Sequence, residues 1–206
     1  MPASSIESAC KRILDFTVAL GALAILWPTM SLVALVIACT LGRPILFRQM
    51  RPGKDGRLFV LFKFRTMTES PGTEINPSTD AARLTKLGAV LRRFSLDEIP
   101  QLWNVLKGEM SLVGPRPLLV EYLNYYTAEQ ARRHCMKPGL TGLAQVKGRN
   151  SIAWEEKFYW DVWYVDHWNF WLDVRIIFYT LVKVVRGKGI SQEGHATMAK
   201  FGASSR

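Results

Sequence analysis

A mainly α protein with a minor β element, an α+β fold fronted by a re-entrant membrane helix, is the architecture this sequence predicts. Three observations carry the expectation. Residues 16–41 hold no charged side chain. Several later segments repeat apolar residues at helical spacing, and two short apolar runs lean toward strand. The 206 residues suffice for one core plus a membrane appendage and fall short of two full domains. The expected division is 1–41 for the membrane helix and 42–206 for a cytosolic domain lying on the membrane surface, with amphipathic helices at the interface.

Taken as a helix, residues 16–41 are about 39 Å long at ~1.5 Å per residue, enough to cross a hydrocarbon core of roughly 30 Å. Pro28 lies near the middle of this run. It removes one backbone donor and its ring meets the preceding turn, so a kink is expected. Each half alone is about 20 Å long and too short to cross. Lys11 and Arg12 precede the run, and Arg43, Arg48 and Arg51 follow it. Positive charge marks the cytoplasmic side, and both ends carry it. Trp27-Pro28 is therefore expected at the apex of a hairpin that enters and leaves by one face, with an ordinary kinked span as the alternative. The run also greatly exceeds the ~7–15 apolar residues of a secretory signal.

Next, Ile45-Leu46-Phe47 and the run 58–64 flank Arg51-Pro52-Gly53-Lys54-Asp55-Gly56 and predict a small hairpin. Residues 68–80 contain Pro71, Gly72, Asn76, Pro77 and Ser78 and read as a mobile loop. Leu84, Leu87, Val90, Leu91 and Phe94 predict a helix over 83–94. Another should start at Asp97 or Glu98, run to Lys107 and stop at Gly108. Helices are also expected over 117–133, 152–167 and 172–186. The connector 137–150, with Pro138, Gly139, Gly142 and Gly148, reads as a structured loop. Trp160, Trp163, Tyr164, His167, Trp168 and Trp171 recur at three- and four-residue spacing. Such a stripe is either core or an interfacial belt, and the anchored N-terminus favours a helix in the membrane plane.

Net charge is +10 and the isoelectric point about 9.8. A basic excess of this kind fits nucleic acid, acidic lipid or a phosphorylated substrate. Zinc-finger ligands, a basic region feeding a leucine heptad and the RNP1 pattern are all missing from the sequence, so nucleic acid is not expected as a partner. Cys10, Cys39 and Cys135 are far apart and make neither a disulfide framework nor a metal site, which fits a reducing, cytosol-facing location. His134, His167 and His195 show no partner spacing.

The chemistry concentrates in Ser95-Leu96-Asp97-Glu98-Ile99-Pro100-Gln101-Leu102, which follows Arg92 and Arg93. Ser95 and Glu98 have capping-box spacing, and Asp97 suits an N-cap. The same position offers free N–H groups and positive potential to a phosphate, and a carboxylate beside cations can act as nucleophile or metal contact. Gly114-Pro115-Arg116-Pro117 fixes one guanidinium in a rigid turn, ready for a phosphate oxygen pair. Lys63 and Arg65 alternate with apolar residues as on a half-exposed strand. The stretch 138–150 is neither a Walker loop nor a Rossmann turn, yet its glycines and terminal Arg149 suit a nucleotide diphosphate.

Together the Pro-centred apolar N-terminus, Arg51-Pro52-Gly53, Lys63-Phe64-Arg65-Thr66-Met67, Leu96-Asp97-Glu98-Ile99-Pro100-Gln101, the 114–117 turn and the 138–150 loop resemble the bacterial sugar transferase family. These are the monotopic polyprenol-phosphate phosphoglycosyl transferases. The tail Gly189-Ile190-Ser191-Gln192-Glu193-Gly194-His195-Ala196-Thr197 looks most like members that transfer phospho-N,N'-diacetylbacillosamine. The resemblance implies transfer of a sugar 1-phosphate from a UDP-sugar to undecaprenyl phosphate with release of UMP, the first membrane step of glycoconjugate assembly. It implies Asp97 as nucleophile in a covalent phosphosugar intermediate, Glu98 as its catalytic partner, either for proton transfer or for metal organisation, and Mg²⁺ with Asp97 as its protein contact. Lys63, Arg92, Arg116, Gln145 and Arg149 are the implied substrate-binding residues. The implied location is the bacterial inner membrane, with the catalytic domain on the cytosolic face. A second copy of the chain and later glycosyltransferases of the pathway are the candidate protein partners. A non-catalytic membrane scaffold and a nucleotide-sugar hydrolase are the alternatives.

Overall fold

Lys11, Asp15, Ala19, Leu23, Leu26, Met30, Val33, Ile37 and Leu41 follow one another at intervals of three or four residues, which places them on one face of a helix. In a computed structural model that describes residues 5–68, 82–148, 152–186 and Phe201, they form the inner stripe of helix α1, Ser5–Leu41. The stripe packs against the rest of the molecule along its whole length. Ala19, Leu23, Leu26 and Met30 join the main core, and Val33, Ile37 and Leu41 join a second cluster with Phe64 and Leu91. The outer face exposes Ile13, Phe16, Leu20, Ile25, Trp27, Leu32 and Leu35. Leaving such side chains in water forfeits on the order of 1.5–3 kcal/mol apiece, so this face belongs in lipid. Pro28 stands inside a continuous helix, and the expected break at Trp27-Pro28 is a proline within the hydrogen-bonded segment.

The predicted hairpin is present as antiparallel strands β1, Leu46–Pro52, and β2, Leu58–Phe64, in register from Leu46 opposite Phe64 to Pro52 opposite Leu58. Helix α2, Lys86–Arg93, begins later than expected, because Leu84 bridges to Met67 and Thr85 then caps the helix by accepting from the Gly88 N–H at 2.9 Å. Helix α3, Gln101–Lys107, ends at Gly108 with φ 82°, as the sequence predicts. Its last carbonyls, Val105 and Leu106, accept from the Arg12 guanidinium of α1 at 2.6 and 2.7 Å. A cation at a helix C-terminus satisfies the unpaired carbonyls there and suits the dipole.

Two expected elements differ. The single helix over 117–133 is instead a 3-10 turn at Val120–Asn124, a short helix α4 at Ala128–Ala131 and a second 3-10 turn at Arg132–Cys135. Thr127 and Gln130 form a reciprocal capping box, which starts a new helix and interrupts the old one. The connector 137–150 is more regular than a loop. It contains β4, Gly139–Thr141, parallel to β3, Ser111–Val113, followed by α5, Leu143–Lys147. A Cβ on Gly139 would stand 2.1 Å from the Gly114 nitrogen, so only glycine allows this approach.

Helices α6, Trp154–His167, and α7, Phe170–Arg186, complete the chain, α7 beginning where Asn169 caps the Leu172 N–H at 2.9 Å. The aromatic stripe is divided between the two readings. Tyr164 is buried, Trp160, Trp163 and Trp168 pack partly into the core, and Trp171 is exposed. The apolar surface of α7 is carried by Phe170, Trp171, Val174, Phe178 and Leu181. Inside, Asp173 accepts from the Tyr164 hydroxyl at 2.7 Å and the Trp168 indole at 3.0 Å, and pairs with the Lys11 ammonium. The first and last helices are thus locked together. The stretch 69–81, Arg149 and the tail resemblance at 189–197 lie outside the described residues.

Candidate active site

Ser95 takes a left-handed conformation, φ 55°, and turns the chain out of α2 into a 3-10 turn over Leu96–Glu98. Pro100 follows and α3 starts at Gln101. The expected capping box is not formed, since Ser95 makes no side-chain cap bond. Asp97 therefore heads no α-helix. It sits in a tight corner between two helices, 6% exposed, with β2 behind it.

The two carboxylates meet different surroundings. One oxygen of Glu98 receives both the Lys63 ammonium and the Arg116 guanidinium at 2.6 Å. Burial works against charge on Glu98, but Arg116 and then Lys63 overcome it and hold the carboxyl well below the usual range. For Asp97 burial is also the largest influence, Glu98 adds repulsion, and Lys63, Arg92 and Arg116 offset only part, so its pKa is raised. The result is a firmly ionised Glu98 beside a more basic Asp97.

Each cation is positioned by a different element. Lys63 comes from β2, opposite Phe47 of β1. Arg116 comes from the proline-flanked turn after β3, whose carbonyl at Arg116 is held by Arg133 at 2.7 Å. Arg133 is itself paired with Asp161 of α6 at 2.6 Å, with side chains only 1% and 5% exposed. Arg92, at the end of α2, gives its Nε–H to the Thr66 hydroxyl at 3.1 Å. Thr66 also bears on α2 through Gly88, where an added Cβ would come within 2.0 Å of the Thr66 carbonyl.

Thus Asp97, Glu98, Lys63 and Arg116 are brought together, with Arg92 near enough to act on the Asp97 charge. Gln145 lies on α5 and donates to the Leu140 carbonyl at 3.3 Å, within its own segment. Arg149 is not among the described residues. Sequence reasoning missed the Arg133–Asp161 pair. The signal was a charged residue at 161 on the α6 face that also buries Phe158 and Val162. It missed Lys11 and Asp15 likewise, although both continue the α1 stripe.

No group of three or more His, Cys, Asp or Glu converges among the described residues. The centre offers two adjacent carboxylates, one already shared by two cations. That donor set suits Mg²⁺, which takes one or two carboxylates and fills its remaining positions with substrate phosphate and water.

The sequence matches the family model described as bacterial sugar transferase over residues 6–187. It is 50% identical over 194 residues to the "Uncharacterized sugar transferase EpsL" of Bacillus subtilis, covering 94% of this chain and 96% of that one. It is 41% identical over 189 residues to the "UDP-glucose:undecaprenyl-phosphate glucose-1-phosphate transferase" of Xanthomonas campestris, covering 86% of this chain and 39% of that one. Identity to the "Galactosyl transferase CpsE" of Streptococcus agalactiae is 40% over 196 residues, covering 87% and 43% respectively. The chain therefore spans nearly all of the first relative and about two fifths of the other two. With the family model running from α1 to the end of α7, this chain belongs to the bacterial sugar transferase family.

Proposed function

We propose that this protein transfers a sugar 1-phosphate from a UDP-sugar to undecaprenyl phosphate and releases UMP, through a phosphosugar bound to Asp97. The observation that carries the reading is the division of labour between the two carboxylates. Glu98 is engaged through one oxygen by both Lys63 and Arg116, whereas no donor among the described residues is hydrogen-bonded to the Asp97 carboxylate. A carboxylate with raised basicity and no hydrogen-bonded partner is the better nucleophile.

In the first step an Asp97 oxygen attacks the sugar-linked phosphorus and the bond from that phosphorus to the bridging oxygen breaks. UMP departs with both electrons of that bond. In the second step an anionic oxygen of undecaprenyl phosphate attacks the same phosphorus, frees Asp97 and completes the lipid diphosphate sugar. Attacking and leaving oxygens are all anionic, so neither step needs a proton carrier. Glu98 accordingly organises cations and moves no proton. Lys63, Arg92 and Arg116 neutralise charge that builds on the phosphoryl oxygens. Mg²⁺, held by Asp97 and the donor's own phosphates, would supply further charge neutralisation.

The working location is the cytoplasmic membrane with residues 42–206 on its cytosolic face, and α1 seats its outer face in the bilayer without crossing it. Like-charged flanks and a stripe that stays packed on the domain from Lys11 to Leu41 support that reading. The finer donor assignment, UDP-N,N'-diacetylbacillosamine or a related N-acetylated sugar, rests on residues 189–197, whereas relatives carry glucose and galactose in their names.

The test is UMP release from a panel of UDP-sugars with and without undecaprenyl phosphate, together with intact-mass detection of a phosphosugar adduct in its absence. Release that depends on the lipid, plus an adduct lost in Asp97→Asn, is the expected result. A scaffold releases no UMP, and a hydrolase releases it without lipid. Full turnover by Asp97→Asn would remove the nucleophile assignment.

A further inference from the structure

Arg51 opens the Arg51-Pro52-Gly53 motif, which the reaction above leaves without a role. It stands at the end of β1, opposite Phe59, with most of its side chain covered. One terminal nitrogen donates to the Gln49 side-chain carbonyl at 2.6 Å and the other makes a long contact to the Pro117 carbonyl at 3.4 Å. Its Nε–H is buried and has no partner. No carboxylate lies within ion-pair distance of it among the described residues.

A covered cation without a counter-ion is costly, and covered charges are normally paired. Here the neighbour is another cation, because Pro117 directly follows Arg116. Burial and the nearby Arg116 lower the Arg51 pKa to about 10, so the pair is held together against its own repulsion. The backbone allows neither side to relax. Pro52, Pro115 and Pro117 restrict it, the Gly53 carbonyl is hydrogen-bonded to His134 at 3.2 Å, and Arg133 grips the Arg116 carbonyl. Stapling the hairpin to the turn does not require this arrangement, since a neutral amide could make both contacts without burying charge.

We propose that Arg51 and Arg116 form a two-guanidinium clamp for a phosphate group, the one that leaves with the nucleotide. The assignment to the donor rests on the Asp97 reading. The sugar-linked phosphorus must reach Asp97, beside the Arg116–Glu98 contact. The second phosphate of the diphosphate is one bridging oxygen away, and Arg51 of β1 is the cation that meets this turn at Pro117 and feels the Arg116 charge. Paired guanidinium forks suit the oxygens of one phosphate.

The test uses full-length protein in detergent with Asp97→Asn as parent, so that nothing reacts, and titrates UDP and undecaprenyl phosphate separately by calorimetry. Adding Arg51→Gln is expected to weaken UDP about 10- to 100-fold, the usual cost of one charge-assisted contact, and to leave undecaprenyl phosphate unchanged. Arg51→Lys keeps the charge and loses the fork, and should show a smaller loss in the same direction. It carries the test if the glutamine variant does not fold, as judged by its melting curve without ligand. UDP affinity equal to the parent's overturns the clamp. A loss confined to undecaprenyl phosphate overturns the donor assignment. Because binding is read without turnover, failure of the Asp97 reading shows up separately, in the adduct experiment.

Discussion

At residue 98 a single carboxylate oxygen serves two cations, and at residue 97 the neighbouring carboxylate is left to a buried corner with unsatisfied basicity. Two consequences follow from the sign of the Asp97 shift. In the proposed reaction the ionised form attacks, so the rate of adduct formation should fall on acidification at a higher pH than an ordinary aspartate would impose. Single-turnover rates over a pH series measure this, and a profile flat down to the normal aspartate range contradicts it. The second consequence concerns stability. A folded-state pKa raised above the unfolded value means that ionised Asp97 opposes folding above that pKa, and the penalty disappears as pH falls through it. Asp97→Asn should therefore melt at a higher temperature than wild type near neutral pH while losing all transfer, the pattern of stability traded for activity. Glu98→Gln should do the reverse on stability, because it leaves Lys63 and Arg116 facing each other without their shared anion. The cluster is only partly buried, so solvent screening should keep the cost below the roughly 3–5 kcal/mol of a fully buried pair. Denaturant midpoints of the two variants, compared in one detergent, test the opposite signs.

Among the elements, α2 shows how a local preference is overruled. Gly88 lies in its first turn, and Gly→Ala inside a helix ordinarily gains about 1 kcal/mol. Here the new methyl would meet the Thr66 carbonyl, which also receives the Thr85 N–H. Gly88→Ala should push α2 off the hairpin and carry Arg92 with it, reducing adduct formation although no catalytic group is altered. A variant with unchanged turnover would show that the helix absorbs the shift. The same element marks the limit of what could be read from sequence. A charge-free run located most of α1, apolar spacing located α2, and the stop at Gly108 located the end of α3. Helices α6 and α7 lie where helices were expected, and the turn residues between 51 and 56 located the hairpin. The segment 117–133 and the connector after residue 137 were misjudged for physical reasons. The capping box at Thr127 competes locally with helix continuation, and the parallel pairing of β3 with β4 joins residues far apart in sequence through glycines. Long-range backbone contact leaves no periodic signature. For the site, adjacency named Asp97 and Glu98 and proline flanks singled out Arg116. Only the fold reveals that Glu98 takes the cations and that Arg133 with Asp161 supports the turn.

For the molecule as a whole, α1 is both a lipid-facing surface and a wall of the core. Ala19, Val33 and Ile37 are buried on its inner side, and Arg12 finishes α3. Removing residues 1–41 would thus uncover both apolar clusters instead of freeing a soluble domain. The truncated chain should aggregate or bind a hydrophobic dye, and a monomeric, cooperatively melting 42–206 fragment would contradict this. Orientation can be tested in intact cells. Single cysteines at Ser4 and Ser204, in a background where the native cysteines are replaced, should both be shielded from an impermeant reagent until the cells are opened. Labelling of one without the other means that α1 crosses the bilayer.

The contact between Lys11 and Asp173 spans 162 positions of chain. A ribosome therefore delivers the lysine 162 residues before its aspartate. Until then the ammonium group has no permanent home, and the greasy segment behind it must wait at the bilayer with its charged end still hydrated. Closure of this contact consequently waits until residue 173 has been made, whatever local helices form before it.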